Sequence, residues 1–245
     1  MKNEVVIKFE NVSKKFSKGR KLLLKEALLD IFKPGRTENF WALKDINFEV
    51  KKSETLGIIG PNGSGKSTIL KLIAGVTSPT QGNVEVKGKI APLIELGAGF
   101  HPELTGRENI YLNGVILGLT KNEIENKYKD IVSFAELEEF IDTPLKHYST
   151  GMYMRLAFAI AVNVNPDILL VDEVLAVGDT DFKKKCFIKM SELKKNGKTI
   201  IFVSHDLNKI KDFCDKAILL YDSKVDMIDN SFKVTSHYLY KLEEK

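Results

Sequence analysis

Gly60-Pro61-Asn62-Gly63-Ser64-Gly65-Lys66-Ser67-Thr68 fits the pattern G-x-x-x-x-G-K-[ST] of a phosphate-binding loop. Its flanks suit it. Thr55-Leu56-Gly57-Ile58-Ile59 is a short apolar run of the kind that makes a buried strand, and residues 67–74 read as a helix that Gly75 stops. Nucleotide phosphates carry several negative charges, and a loop that turns many backbone N–H groups inward needs glycine at its crowded positions. The following helix aims the positive end of its dipole at the same point. Lys66 is expected to reach the β- and γ-phosphates, and the Ser67 hydroxyl to ligate Mg²⁺. With glycines at 60, 63 and 65, this is not the G-x-G-x-x-G of a dinucleotide fold. A glycine-rich turn can match such a pattern by chance, but here strand, loop, Lys-Ser and helix follow in order. The loop alone says only that a nucleoside triphosphate binds.

The 245 residues are 43% hydrophobic and 29% charged, an ordinary globular composition, enough for one large domain or two small ones. Thirty-seven basic and 33 acidic residues leave a net charge of +4, too balanced to argue for nucleic acid. Cys186 and Cys214 have no metal-ligand spacing and suit a reducing compartment. Residues 1–4 lead into an alternating stretch rather than the apolar core of a secretory signal. The longest useful apolar run, residues 156–162, is far shorter than the roughly 20 residues a membrane span needs. The expectation is a protein that is soluble, or peripheral to a membrane through a partner.

Residues 5–12 read as a strand. Residues 17–40 are basic in texture, with Lys18, Arg20, Lys21, Lys25, Lys33 and Arg36, and 22–32 read as a short amphipathic helix. Such a stretch is either solvated surface or a surface that meets an anionic lipid or ligand. Trp41, Leu43, Ile46, Phe48 and Val50 read as the apolar positions of a strand pair, and 83–90 as a β-hairpin. From about 99 to 162 the pattern is helical. Thr120 with Glu123 makes a capping box, 135–141 reads as a short helix, and Tyr148-Ser149-Thr150-Gly151-Met152 introduces a helix apolar nearly all round. Uniformly apolar strands then alternate with helices: strands at 168–173, 199–203 and 217–221, helices at 182–195 and 207–214, and a charged helical tail from 231. This pattern indicates a parallel sheet covered on both faces.

Asp172 and Glu173 end the first of those strands. Asp172 is expected to hold Mg²⁺, and Glu173 to polarise the water that attacks the γ-phosphate. Capping of the next helix is the plainer alternative. His205 follows the next buried strand in the same way. A lone histidine is usually structural, but this position brings it towards the same crevice, within reach of the γ-phosphate and the water.

These motifs, in this order, resemble an ABC-transporter ATPase over nearly the whole chain. Residues 60–68, 148–152, 168–173, 176–179 and 204–205 look like its Walker A, signature, Walker B, D-loop and H-loop. The resemblance implies an α/β P-loop NTPase fold: a RecA-like parallel core sheet, an N-terminal antiparallel β subdomain and an inserted α-helical subdomain. Residues 1–98 and 163–245 would form the core, and 99–162 the helical subdomain. It implies ATP and Mg²⁺ as ligands and Glu173 and His205 as catalytic. It also implies a homodimer closing head to tail, in which Ser149 and Gly151 of one copy meet the γ-phosphate in the other. Phe16 lies where the family places an aromatic that stacks on adenine, with Trp41 as a rival. Glu95 aligns with the expected glutamine between Walker A and signature, as a further Mg²⁺ contact.

Three departures narrow the resemblance. The usual L-S-G-G-Q signature reads Tyr148-Ser149-Thr150-Gly151-Met152, the second D-loop position is altered, and Glu95 stands for glutamine. Together with the basic insertion they are similar to the ATPase subunits of exporters for O-antigen, capsular polysaccharide and teichoic acid. That branch implies pairing with two copies of a membrane-spanning permease, at the cytoplasmic face of a bacterial membrane, driving export of a lipid-linked polysaccharide without binding nucleic acid. Other transporter ATPases, and ABC ATPases that act on DNA or ribosomes, are the alternatives. The latter usually carry a long coiled-coil insertion or two fused cassettes, which this chain lacks.

Overall fold

The apolar strands anticipated around the phosphate loop lie side by side. In the computed structural model, which describes residues 4–18, 38–94, 97–172 and 179–243, the strands in chain order are β1 (Val5–Lys18), β2 (Glu38–Lys51), β3 (Thr55–Ile59), β4 (Gln81–Val86), β5 (Ile90–Pro92), β6 (Ile168–Val171), β7 (Thr199–Val203), β8 (Lys216–Tyr221) and β9 (Lys224–Asn230). One sheet runs β5-β6-β7-β3-β8-β9, parallel except for β9, which pairs antiparallel with β8. The other is antiparallel, in the order β2-β1-β4.

The largely apolar character of the parallel strands follows from their two buried faces. Side chains alternate along a strand. Ile58, Ile168, Leu170, Ile201, Val203, Ile218 and Leu220 therefore face one way. They pack with α1 (Lys66–Ile73) and with Ile7, Phe9, Leu43 and Ile46 of the antiparallel sheet. Their neighbours Leu169, Val171, Ile200, Phe202, Ala217 and Leu219 face the other way, towards the helical side of the molecule. That side holds α2 (Gly106–Ile116), α3 (Lys121–Ala135), α4 (Thr150–Asn163), α5 (Thr180–Lys195), α6 (Leu207–Phe213) and α7 (Ser231–Glu243). Phe158 of α4, Phe134 of α3 and Phe182 of α5 meet there with ring centroids 5.8–6.2 Å apart.

Three local expectations change, and one strand is new. Residues 83–90 are not a hairpin: β4 joins the antiparallel sheet, and β5 leaves for the parallel one. Asp167 draws the chain across. Its carboxylate accepts from the Lys89 N–H (2.9 Å) and its own N–H donates to the Lys89 carbonyl (2.9 Å), which seats β5 against β6. Residues 40–50 are one strand, continuous over Glu38–Lys51 and bulged, paired along β1, which itself runs on to Lys18. The expected helix at 135–141 is absent: Ala135 is the last residue of α3, and 136–141 form turns, because Glu136 adopts a left-handed φ of 58° and ends that helix. The edge strand β9, whose burial alternates residue by residue, had no counterpart in the sequence reading. The expected helix at 22–32 lies outside the described residues. The Thr120–Glu123 capping box is present, and a second one, Thr105–Glu108, starts α2.

Candidate nucleotide site

The phosphate loop leaves the C-terminal end of β3 and enters α1, where ligands of parallel α/β sheets bind. Gly65 is the N-cap of α1, at φ 110°, a conformation that L side chains rarely adopt. A Cβ there would also lie 2.5 Å from Leu43 Cδ2 and 2.6 Å from the Ala42 carbonyl, so β2 presses directly on the loop. Helices α2, α3, α4, α5 and α6 each receive a side-chain cap at the N-terminus. At α1 there is no side-chain cap bond and no acidic residue in the first turn. Its first N–H groups and the positive end of its dipole are thus left to an anion. Lys66 is buried, and its ammonium donates to the carbonyls of Gly60 (2.8 Å) and Pro61 (2.9 Å), which folds the side chain back along the loop.

A cavity of about 270 Å³ opens over this helix end. Its walls include Asn62, Gly63, Gly65, Lys66, Ser67 and Thr68 of the loop, Asp172 just after β6, and Val203 and His205 at the end of β7. The neighbouring strands β6 and β7 thus bring Asp172 and His205 to one crevice. His205 is pinned from both sides. Ser204 is buried, and Asp206 caps α6 by accepting from the N–H groups of Asn208 (3.1 Å) and Lys209 (3.2 Å). Gly60, Pro61 and Ser64 shape the loop from behind and are not part of the cavity wall.

Phe16, Phe40 and Ala42 form the far wall. Phe16 and Phe40 are partners across β1 and β2, with rings stacked at 5.8 Å. Trp41, one step along β2, is not part of this wall, as strand alternation requires, and the Lys15 ammonium lies 5.6 Å from its ring. Phe40 was missed from sequence. The signal was there in the β1–β2 register, which sets it opposite Phe16, but the 17–40 insertion hid that register. Phe16→Ala is expected to raise the KM for ATP about tenfold with kcat nearly unchanged, since base–aromatic stacking contributes about 1–3 kcal/mol. Steady-state kinetics checks this, and an unchanged KM removes Phe16 from the base site.

Ser67 and Asp172 on one cavity present a hydroxyl and a carboxylate, hard oxygen donors that fit Mg²⁺. Among the described residues no cluster of three or more His, Cys, Asp or Glu could hold a metal alone. Glu95 and Glu173 lie outside the described residues.

Ser149 and Gly151 are not brought to this cavity. They line a second hollow, of about 290 Å³, with Leu137, Phe140, Met152 and Asp179. Ser149 caps α4, its hydroxyl accepting from the Met152 N–H (3.2 Å). Arg155 on the same helix pairs with Glu136 (2.7 Å) and with Asp179, the cap of α5. The Asp179 carboxyl is held below its usual range by the Phe182 N–H first and then by Arg155.

The family model described as ABC transporter matches residues 43–176. The chain belongs to the ABC transporter family. Among its relatives, the O-antigen export system ATP-binding protein RfbB of Myxococcus xanthus is 51% identical over 80% of this chain and 45% of its own length. The teichoic acids export ATP-binding protein TagH of Bacillus cereus is 46% identical over 97% of this chain and 43% of its own. This chain therefore spans less than half the length of those two relatives. A Klebsiella pneumoniae RfbB is 43% identical over 96% of this chain and 98% of its own. A solved ATP-binding cassette, a dimer in a post-hydrolysis state bound to ADP and Pi, superposes with a TM-score of 0.74 at 27% identity, covering 92% of this chain and 98% of that one. The cassette fold, with its P-loop and mixed sheets, is thus the one the motifs implied.

Proposed function

We propose that this cassette hydrolyses ATP to drive export of a lipid-linked cell-surface polysaccharide, O-antigen, capsule or teichoic acid, through a partner permease. One observation carries the ATPase part: a single cavity holds Lys66, Ser67, Asp172 and His205 at the uncapped end of α1. The polysaccharide is supported by relatives named for O-antigen and teichoic acid export. Lys66 and the loop N–H groups bind the β- and γ-phosphates, and Ser67 and Asp172 hold Mg²⁺, which neutralises phosphate charge. Glu173 accepts the proton of the attacking water, and His205 hydrogen-bonds the γ-phosphate. Ser149 and Gly151 complete the same site in a second copy, a head-to-tail homodimer supported by their lining a hollow separate from the cavity over their own phosphate loop.

Two copies of the permease dock where residues 97–100 meet α2. There Val76, 57% exposed, borders a cavity of about 100 Å³, and Val115 and Ile116 in the last turn of α2 are 60% and 58% exposed. No helix among the described residues is long and apolar enough to cross a membrane. The chain sits peripherally, on the cytoplasmic face of the bacterial cell membrane, held by that permease, a reading supported by relatives named for export systems. Co-expression tests this reading. The chain is expected to purify with a membrane-spanning permease and without nucleic acid, and its depletion to remove the polysaccharide from the cell surface. Normal surface polysaccharide after depletion removes the export reading.

A further inference from the structure

We infer that Tyr153 is a positioning residue, whose hydroxyl ties the helix bearing Ser149 and Gly151 to the turn at Gly97 and so sets how that helix meets a nucleotide. The inference rests on the proposed homodimer. Tyr153 lies on α4 two residues beyond Gly151, and its backbone N–H donates to the carbonyl of the cap residue Ser149 (3.0 Å). Its side chain leaves the signature behind and reaches the turn at 97–100. The hydroxyl donates to the Gly97 carbonyl (3.0 Å), and the ring meets Phe100 edge-on at 5.1 Å. The Gly97 carbonyl also accepts from the Phe100 N–H (2.9 Å), so two donors converge on it. Gly97 stands at φ 81°, and a Cβ there would collide with the Tyr153 hydroxyl and ring. Asn113 of α2 fixes the next residue, donating its side-chain amide to the Ala98 carbonyl (2.9 Å).

The link has a direction. Gly97, Ala98 and Asn113 line the small cavity bordered by the exposed Val76, while Ser149 and Gly151 line the hollow at the other side of α4. A push on the 97–98 turn therefore arrives at the start of α4 through one hydrogen bond and one ring contact. Tyr153 lines neither the cavity over the phosphate loop nor the hollow at Ser149 and Gly151.

The test uses the full chain carrying Glu173→Gln, with and without Tyr153→Phe, and reads three quantities. Loss of one hydrogen bond is expected to weaken each signature contact about fivefold, hence ATP-driven dimerisation about 25-fold in sedimentation equilibrium. ADP affinity of the monomer, which depends on the phosphate loop, should stay within about twofold. The thermal midpoint should change little, because the ring and its contact with Phe100 remain. Tyr153→Leu, which also removes the ring, should weaken dimerisation further at the same ADP affinity. Equal loss of ADP affinity and dimerisation makes Tyr153 merely structural and overturns the inference. Unchanged dimerisation overturns it as well. If the Glu173→Gln chain stays monomeric with ATP, the homodimer reading falls first and takes the inference with it.

Discussion

Lys66→Ala is expected to lower ATP affinity and ATP turnover by on the order of 100-fold or more. Lys66 is the buried cation of the phosphate loop, and its ammonium already lies against the Gly60 and Pro61 carbonyls. Charge-assisted hydrogen bonds to phosphate contribute about 1.5–3 kcal/mol each, and each 1.4 kcal/mol is about tenfold. Two such bonds therefore account for at least a hundredfold. Alanine also leaves those two carbonyls without the ammonium, so the apo loop should loosen. Titration with a fluorescent ATP analogue and a coupled ATPase assay measure the two losses, and turnover within threefold of the unaltered chain would show that Lys66 does not contact the phosphates.

Glu173→Gln is expected to separate binding from chemistry. Residue 173 is one peptide step, about 3.8 Å between Cα atoms, beyond Asp172, which lines the nucleotide cavity at the end of β6. Glutamine keeps the size of the side chain and removes its capacity to take a proton. Turnover should fall by about 10²–10⁴, the usual contribution of a general base. ATP binding should persist, and ATP should accumulate in a long-lived dimer. Single-turnover kinetics with gel filtration in ATP checks both parts. Near-normal turnover would assign the base to another residue.

Most of the parallel sheet was legible because its chemistry is redundant along the chain. Strands such as 168–171 and 200–203 are apolar at every position, and both sets of alternating residues prove to be buried. The phosphate loop, Asp172 and His205 were legible because fixed spacing from such strands delivers them to one crevice. Features decided by distant partners were not. Nothing near residues 83–90 says that Asp167 will capture Lys89 and pull the chain into a second sheet. Nothing near Phe40 says that Phe16 lies opposite, since their pairing spans the insertion. The edge strand β9 has no fully buried position, and it exposes Ile228 while half-burying Asp229, too weak a pattern to stand out from a loop.

The parallel neighbours of β3 bear on how the chain is made. Thr55 pairs with Ile200 and Leu56 with Lys216. A ribosome adding about 5–20 residues per second takes on the order of ten seconds or more to cover that distance. During that interval the strand that launches the phosphate loop has no parallel partner, and its apolar residues must be sheltered by nascent antiparallel structure or by a chaperone. The helical segment between them costs little, because loop-closure entropy grows only logarithmically with length. A chain cut short before β7 would thus retain every residue of the phosphate loop and still lack the sheet that holds it in shape.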